Sequence, residues 1–166
     1  ADQTICDGYA PSSLNASSAS AGTYSWVDAA DPLGTVLGTG SNFPPPPLTT
    51  TTTYTVTFTE TSSGCTDDDD VTITVNPLDD ATFTLTDYCE GSPNSATVTG
   101  TAGGVFTFTT PPTGGETINS VTGEITGGIG GTTYSVTYTT TGICPQSSTE
   151  TVTVNPLPTT GPIYHN

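Results

Sequence analysis

The chain has 166 residues, of which 16 are acidic and none is lysine or arginine, so its formal net charge is −16 at pH 7. This charge argues against binding to nucleic acid, whose phosphates need cationic partners, and to anionic membrane surfaces. No run of eighteen apolar residues is available to span a membrane.

Threonine dominates the composition, with about forty residues, alongside 19 glycines and 14 prolines. Threonine favours strands over helices, and Gly and Pro interrupt regular structure. The composition therefore predicts an all-β protein. The missing basic residues have two explanations that stay open: resistance to proteases that cleave after Lys or Arg, or compositional drift in a repetitive sequence.

In the first half of the chain, two short strands are predicted at Thr23–Val27 and Thr35–Gly38. They are followed by Tyr54–Phe58 and Val71–Val75, in which apolar residues alternate with threonines, the pattern of strands with one buried face. An acidic run, Asp67–Asp70, joins the last two strands and is predicted to be the loop of a hairpin.

The second half repeats this organisation. A hairpin is predicted from the alternating residues of Tyr134–Tyr138 and Val152–Val154, and the glycine-rich stretch Gly127–Gly131 separates strands. The shorter strands predicted in this half are Phe83–Thr86, Ala96–Thr101, Val105–Thr109 and Thr117–Val121.

The two halves are copies of one unit. Tyr54 and Tyr134 begin similar strands 80 positions apart, and the motif Asn-Pro-Leu recurs after 79 positions, at Asn76 and Asn155. Small drifts in the offset are expected from loop insertions, so the sequence is a tandem duplication. Several short strands separated by turns indicate that each copy is a β-sandwich.

The predicted domain boundaries follow from this repeat. The first domain comprises residues 1–77 and the second comprises residues 78–157. Residues 158–166 are predicted to be a C-terminal strand or linker that docks on a neighbour.

Each copy contains one early and one late cysteine, Cys6 and Cys65 in the first and Cys89 and Cys144 in the second. Four cysteines allow three pairings, and the repeat favours Cys6–Cys65 and Cys89–Cys144, one bridge in each domain. A loop of this size contributes roughly 4 kcal/mol in the chain-entropy account. A zinc site is disfavoured because Cys-x-x-Cys is absent and His165 is the only histidine. Persistent disulfides predict a location outside the reducing cytosol.

Several motifs recur in both copies. Each copy begins with Cys-x-Gly, at Cys6 and Cys89, and closes on Thr-Val-Asn-Pro-Leu, while Ile118–Ile125 has the pattern of a mid-domain hairpin. Together these motifs resemble the immunoglobulin-like or PKD-like repeats of large secreted Bacteroidetes adhesins and filaments, over nearly the whole chain. The resemblance implies two tandem immunoglobulin-like β-sandwich domains at the cell surface.

Two features depart from an antibody domain, whose disulfide joins the two sheets beneath a tryptophan. Cys65 and Cys144 follow turn-like residues, so the bridges are predicted to pin one end of each sandwich. Trp26 has no counterpart in the second copy, where Phe106 and Phe108 occupy the corresponding region. Its alternating strand context favours a core position over a ligand platform.

Two acidic clusters are candidate calcium sites, although calcium needs six or more converging oxygen ligands. Each cluster either binds calcium or simply hydrates the surface, and no other cofactor is predicted. The candidate ligands are Asp67, Asp68, Asp69 and Asp70 before the last strand, and Asp79 and Asp80 in the linker.

The C-terminal residues 158–166 follow the second Asn-Pro-Leu, as Asp79–Thr86 follow the first, and so correspond to the first strand of a further domain. Alone, this strand would expose Ile163 and Tyr164, which are the predicted subunit contacts. Either it docks on a neighbouring subunit by strand addition, or it is the frayed start of a longer repeat array.

No catalytic constellation is present, because the hydroxyl residues lack a histidine base apart from the terminal His165. We therefore expect no enzyme but a structural subunit or repeat segment of an extracellular bacterial filament or adhesin stalk, which self-associates. The alternative is a glycan- or protein-binding adhesin module. A glycan-binding module requires exposed aromatic residues, for example among Tyr9, Trp26, Phe43 and Tyr88.

Overall fold

The computed structural model describes residues 1–159 and residue 161, and within them every regular element is a β-strand. It contains two compact units, of which the first is Ala1–Leu78 and the second begins at Asp79. The predicted all-β class is confirmed.

The first unit contains seven strands: β1 (Gln3–Cys6), β2 (Leu14–Asn15), β3 (Gly22–Asp28), β4 (Val36–Thr39), β5 (Asn42–Phe43), β6 (Thr52–Glu60) and β7 (Thr66–Asn76). Five of them form a sheet in the order β1-β7-β6-β3-β4, and β2 and β5 form a second sheet. β1 runs parallel to β7, whereas the remaining pairs of the first unit are antiparallel.

The core of the first unit forms where the two sheets face each other. Phe43 on β5 stacks on Trp26 with ring centroids 5.6 Å apart and meets Tyr54 edge-on at 5.3 Å. The alternating apolar residues of β6 and β7 supply Tyr54 and Ile73, of which Ile73 is completely buried. The prediction that Trp26 is a core residue is confirmed, since it is 2% exposed.

The second unit contains eight strands: β8 (Phe83–Thr84), β9 (Tyr88–Cys89), β10 (Thr97–Val98), β11 (Val105–Phe108), β12 (Thr117–Ile118), β13 (Ile125–Thr126), β14 (Thr133–Thr139) and β15 (Ser147–Asn155). The main sheet has the order β11-β14-β15-β9, with β9 parallel to β15. β8 pairs with β10, and β12 pairs with β13. The core residues come from both layers, with Phe83 on β8 packed against Phe106 and Tyr138 of the main sheet.

The threonines on the outer faces of the main sheets hydrogen-bond to one another across strands. The hydroxyls of Thr53 and Thr72 lie 2.9 Å apart, and those of Thr133 and Thr153 lie 3.0 Å apart. Such pairs contribute roughly 0.2–1 kcal/mol each, which explains how a sheet surface without lysine or arginine is stabilised.

The long predicted hairpins are present as β6–β7 and β14–β15, and the hairpin predicted at Ile118–Ile125 is present as β12–β13. The prediction that Asp67–Asp70 form a loop is wrong. They belong to β7 and pair with residues 55–58 of β6, while the turn is made by residues 61–65, where Gly64 adopts a φ of +72°. The regular backbone pairing with β6 outweighs the weak strand propensity of aspartate.

The predicted bridge Cys6–Cys65 is also wrong, because the two cysteines lie at opposite ends of the first unit. Cys6 pairs with Asn76 at the end of β7, whereas Cys65 directly precedes Thr66 at its start. Ten residue steps of extended strand span about 33 Å. The Cα atoms of a disulfide must lie within about 7 Å.

The predicted bridge Cys89–Cys144 in the second unit is wrong for the same reason. Cys89 pairs with Asn155 at the end of β15, and Cys144 precedes Ser147 at its start. The eight steps of this strand span about 26 Å. The repeat correctly indicates equivalent cysteines, but each domain holds its early and late cysteine at opposite ends of its last strand.

The oxidation states follow a different pattern from the one predicted. Cys6 and Cys144 are disulfide-bonded. Cys65 and Cys89 are free thiols, and both are exposed. Each unit therefore carries one oxidised cysteine and one free cysteine.

We predict that Ile73→Ala destabilises the first unit by about 2–5 kcal/mol, because it leaves a cavity at a fully buried position. Denaturant unfolding followed by the fluorescence of Trp26, the only tryptophan, reports this unit selectively. Thr74→Ala is the matched control on the outer face and is expected to cost less than about 1 kcal/mol. Equal losses in the two variants would contradict the assigned core face.

Candidate functional site

Half of the last strand of the first unit has an open edge. β1 pairs only with Ile73–Asn76 of β7, so that Thr66–Thr72 pair with β6 on one side and with no strand among the described residues on the other. The N–H of Thr72 donates to the carboxylate of Asp2 at 3.0 Å, which marks the point where pairing with β1 begins. An open strand edge is a ready template for another strand.

A cleft of about 470 Å³ lies beside this edge. Its apolar lining includes Val56 and the aromatic pair Tyr24 and Phe58, whose ring centroids are 5.1 Å apart. Its acidic lining is the run Asp67–Asp70. Tyr24 and Phe58 are only partly buried, so the apolar surface of the cleft is accessible.

The second unit shows what covers the equivalent surface there. Phe106 and Tyr138 face each other across β11 and β14, as Tyr24 and Phe58 do across β3 and β6. Phe83 of β8 packs on this pair at centroid distances of 5.3 and 5.9 Å, and Phe106 and Tyr138 are 2% and 1% exposed. The cleft of the first unit thus lies at the position that β8 fills in the second.

β8 belongs to the segment that follows the first Asn-Pro-Leu. Among the described residues, no strand pairs with β2 of the first unit in the way that β8 pairs with β10, the equivalent of β2 in the second. The only signal for this in the sequence is the position of Asn-Pro-Leu, which ends one sandwich and precedes a strand of the next.

The two acidic residues predicted to lie in a linker anchor this segment to the second unit. The N–H of Asp79 donates to the carbonyl of Cys144 at 2.9 Å, and its carboxylate accepts the N–H of Gly142 at 3.0 Å. The carboxylate of Asp80 accepts hydrogen bonds from the hydroxyl and the N–H of Thr82, and these hold the pKa of Asp80 below its usual range. Asp79 thereby ties the segment to residues 142–144, and Asp80 forms the turn that leads into β8.

The calcium hypothesis gains no support. In the part of the chain that the structure describes, no three His, Cys, Asp or Glu side chains are grouped to hold a metal ion. Successive residues of a strand point to opposite faces, so the carboxylates of Asp67, Asp68, Asp69 and Asp70 do not converge.

The aromatic residues proposed for glycan binding are mostly in the two cores. Trp26, Phe43 and Tyr88 are buried, whereas Tyr9 is 61% exposed. The indole N–H of Trp26 donates to the carbonyl of Gly40 at 2.9 Å, and the phenol oxygen of Tyr88 has no hydrogen-bond partner among the described residues. Three of the four residues are therefore unavailable as a sugar platform.

The predicted subunit contacts, Ile163 and Tyr164, lie outside the described residues. Within residues 1–159 and 161, no helix is long and apolar enough to cross a membrane.

Residues 1–77 match the family model described as "Ig-like domain CHU_C associated", so the first unit is an Ig-like domain of this type, and the predicted resemblance is confirmed there. No curated protein matches significantly. Among solved structures, the chain is similar to Drosophila N-cadherin EC1-4, with 15% identity and a TM-score of 0.46, over 95% of this chain and 47% of that one. It is also similar to the titin domains z1z2 in complex with telethonin (14% identity, TM-score 0.39, 95% and 94% covered) and to DIP-gamma IG1+IG2 (12%, 0.40, 93% and 93%).

We predict that Tyr88→Phe leaves the stability of the second unit unchanged or raises it by up to about 1–3 kcal/mol, because it removes a buried hydroxyl without a partner. Tyr138→Phe is the matched comparison, since its hydroxyl donates to the carbonyl of Thr101 at 2.7 Å and accepts the N–H of Gly104 at 2.9 Å. It should destabilise the unit by about 1–3 kcal/mol. Calorimetric unfolding of both variants checks the contrast, and a loss of stability in Tyr88→Phe would contradict it.

We predict that Thr82→Val moves the pKa of Asp80 up toward its usual value, because the hydroxyl of Thr82 is the main cause of the low pKa. A pKa lower in the folded than in the unfolded state stabilises the fold at neutral pH, and this stabilisation is lost as the pH falls below about 4. Titration of the Asp80 carboxyl carbon by NMR measures the change. Thr84→Val, two residues further along the chain in β8, should leave the titration unaltered.

Proposed function

We propose that this chain is an extracellular structural and adhesive module whose copies join head to tail by strand donation. The observation that supports the proposal is the accessible cleft of the first unit, at the position that β8 fills in the second. Its apolar aromatic surface would receive the side chains of an added strand, and β2, which lines the cleft and is the equivalent of the strand β10 that pairs with β8, would pair with its backbone.

The donor in this proposal is the C-terminal segment, residues 158–166. It follows the second Asn-Pro-Leu as Asp79–Leu85 follow the first. Aligned on that motif, Tyr164 corresponds to Leu85, and Ile163 falls within one position of Phe83. The segment of one copy thus supplies the first unit of the next copy with the strand that the second unit receives from its own chain.

The charges of donor and acceptor suit this pairing. The chain carries a net charge of −16 and its copies repel one another, but residues 158–166 contain no acidic side chain. Docking this segment beside Asp67–Asp70 therefore adds no carboxylate to the acidic cleft. Assembly should become stronger as salt screens the repulsion between the remaining surfaces.

The proposed extracellular location and structural role are supported by other observations. The match of residues 1–77 to an Ig-like family and the disulfide-bonded Cys6 and Cys144 are consistent with a secreted or surface-exposed protein. Burial of Trp26, Phe43 and Tyr88 weakens the alternative of a glycan-binding module. A structural role needs no catalytic residues.

We predict that deleting residues 159–166 abolishes assembly, measured by sedimentation velocity and electron microscopy at low and at raised ionic strength. A synthetic peptide of residues 158–166 should bind the truncated chain and change the fluorescence of Trp26, which lines the cleft. Tyr24→Ser should weaken peptide binding at least tenfold, since one well-buried aromatic contact contributes several kcal/mol.

Thr23→Ser, whose side chain lies on the opposite face of the same strand, is the matched control and should bind the peptide normally. Assembly of the truncated chain to the same extent as the full chain would refute strand donation. Absence of peptide binding would indicate instead that the cleft is filled by a preceding segment of a longer chain.

A further inference from the structure

The two free cysteines lie at opposite ends of their units. Cys65 immediately precedes the start of β7, and Cys89 lies beside the end of β15, where it pairs with Asn155. Both side chains are exposed. The repeat supplies an internal comparison for each, because Cys6 is the equivalent of Cys89 and Cys144 is the equivalent of Cys65.

The backbone around Cys89 is the same as that around the oxidised Cys6. In both turns, the N–H of the following residue donates to the carbonyl of the last asparagine of the sheet at 2.9 Å. The N–H three residues after the cysteine donates to the cysteine carbonyl, at 3.1 Å for Cys6 and 2.9 Å for Cys89. Gly8 and Gly91 adopt φ values of +80° and +78°. Cys89 is therefore held in the turn that presents a half-cystine in the first unit.

For the late cysteines, the oxidised member is in the second unit and the free member is in the first. Cys144 stands just before β15 and is disulfide-bonded and buried. Cys65 stands just before β7 and is free. One member of each set of equivalent cysteines is thus oxidised and the other is free. The free cysteines are one of the early type and one of the late type, and so are the oxidised ones.

We propose that Cys89 of one copy forms a disulfide with Cys65 of the next copy and locks the head-to-tail junction. The inference rests on the proposed strand donation. Residues 158–166 follow Asn155, the partner of Cys89, in the sequence, and the cleft proposed to receive them is lined by Asp67–Asp70, which begin two residues after Cys65. Strand donation therefore brings together the two ends that carry the free thiols.

The bond is heterologous, since it joins an early-type to a late-type cysteine. Each copy retains one unused cysteine of the opposite type, so the contact repeats from copy to copy and yields a covalent polymer, which is open when the rotation between copies does not close a ring. A dimer linked through two copies of the same cysteine is not expected.

The chemistry is thiol–disulfide exchange with a small-molecule disulfide such as oxidised glutathione. The thiolate of one cysteine attacks the small disulfide and releases one glutathione thiolate, and the thiolate of the other cysteine then displaces the second. The two cysteines lose two protons and two electrons as their S–S bond forms, and the small disulfide is reduced to two thiols.

The test uses full-length chain incubated with a mixture of reduced and oxidised glutathione and then analysed on a non-reducing denaturing gel. Wild type should give a ladder of covalent oligomers. Cys65→Ser and Cys89→Ser should each remain monomeric alone, while their mixture should give dimers and stop there, because each variant contributes only one type of free cysteine.

Mass spectrometry should identify the Cys65–Cys89 peptide between 14N- and 15N-labelled chains. Chymotrypsin or an acid-specific protease is needed for the digest, because the chain offers no lysine or arginine to trypsin. Dimers formed by Cys65→Ser alone, a Cys65–Cys89 bond within one chain, or no dimer in the mixture would each overturn the inference.

The double variant Cys65→Ser/Cys89→Ser separates this inference from strand donation. It should still assemble, but its oligomers should dissociate on dilution at least tenfold faster than those of oxidised wild type. If it assembles and wild type forms no ladder, the disulfide is refuted and strand donation stands. If neither the double variant nor reduced wild type assembles, strand donation is refuted.

Discussion

The continuous backbone pairing of the last strand in each domain is the constraint on which the rest of the structure depends. β7 and β15 each run the length of their sheet, pair with a long antiparallel neighbour, and pair in parallel with a short early strand only at their ends. This arrangement separates the two cysteines of each domain. It also leaves the first part of β7, which lines the acidic cleft, without a strand partner on one side among the described residues.

The sequence predicted those elements whose physical signal is local. Alternation of apolar residues with threonine located the two long hairpins, because a half-buried strand of this length leaves a clear period-two pattern. β2 and β5 have only two residues each, leave no such pattern and were not predicted. Asp67–Asp70 were misassigned because their charge resembles that of a loop, while the pairing that holds them in β7 comes from a different part of the chain.

The cysteine pairing and the cleft could not be predicted from local sequence patterns, because both depend on which parts of the chain the fold brings together. A repeat shows which residues are equivalent, but it does not show at which end of a strand each one lies. Cys6 and Cys65 are consecutive cysteines in the sequence, yet they lie at opposite ends of β7, about 33 Å apart. The cleft depends on which segment supplies β8, and only the comparison of Tyr24 and Phe58 with Phe106 and Tyr138 makes the uncovered surface visible.

The length of β7 has a mechanical consequence for a polymer of such domains. If neighbours hold a domain at Cys65 and at the Asn76 end, tension runs along the axis of one strand from its first residue to its last. An extended strand carries such a pull through its own covalent backbone, so the hydrogen bonds to β6, which lie perpendicular to that axis, bear little of the load. Each domain would then transmit tension from one neighbour to the next through a single strand, and the rest of its sandwich would stay unloaded.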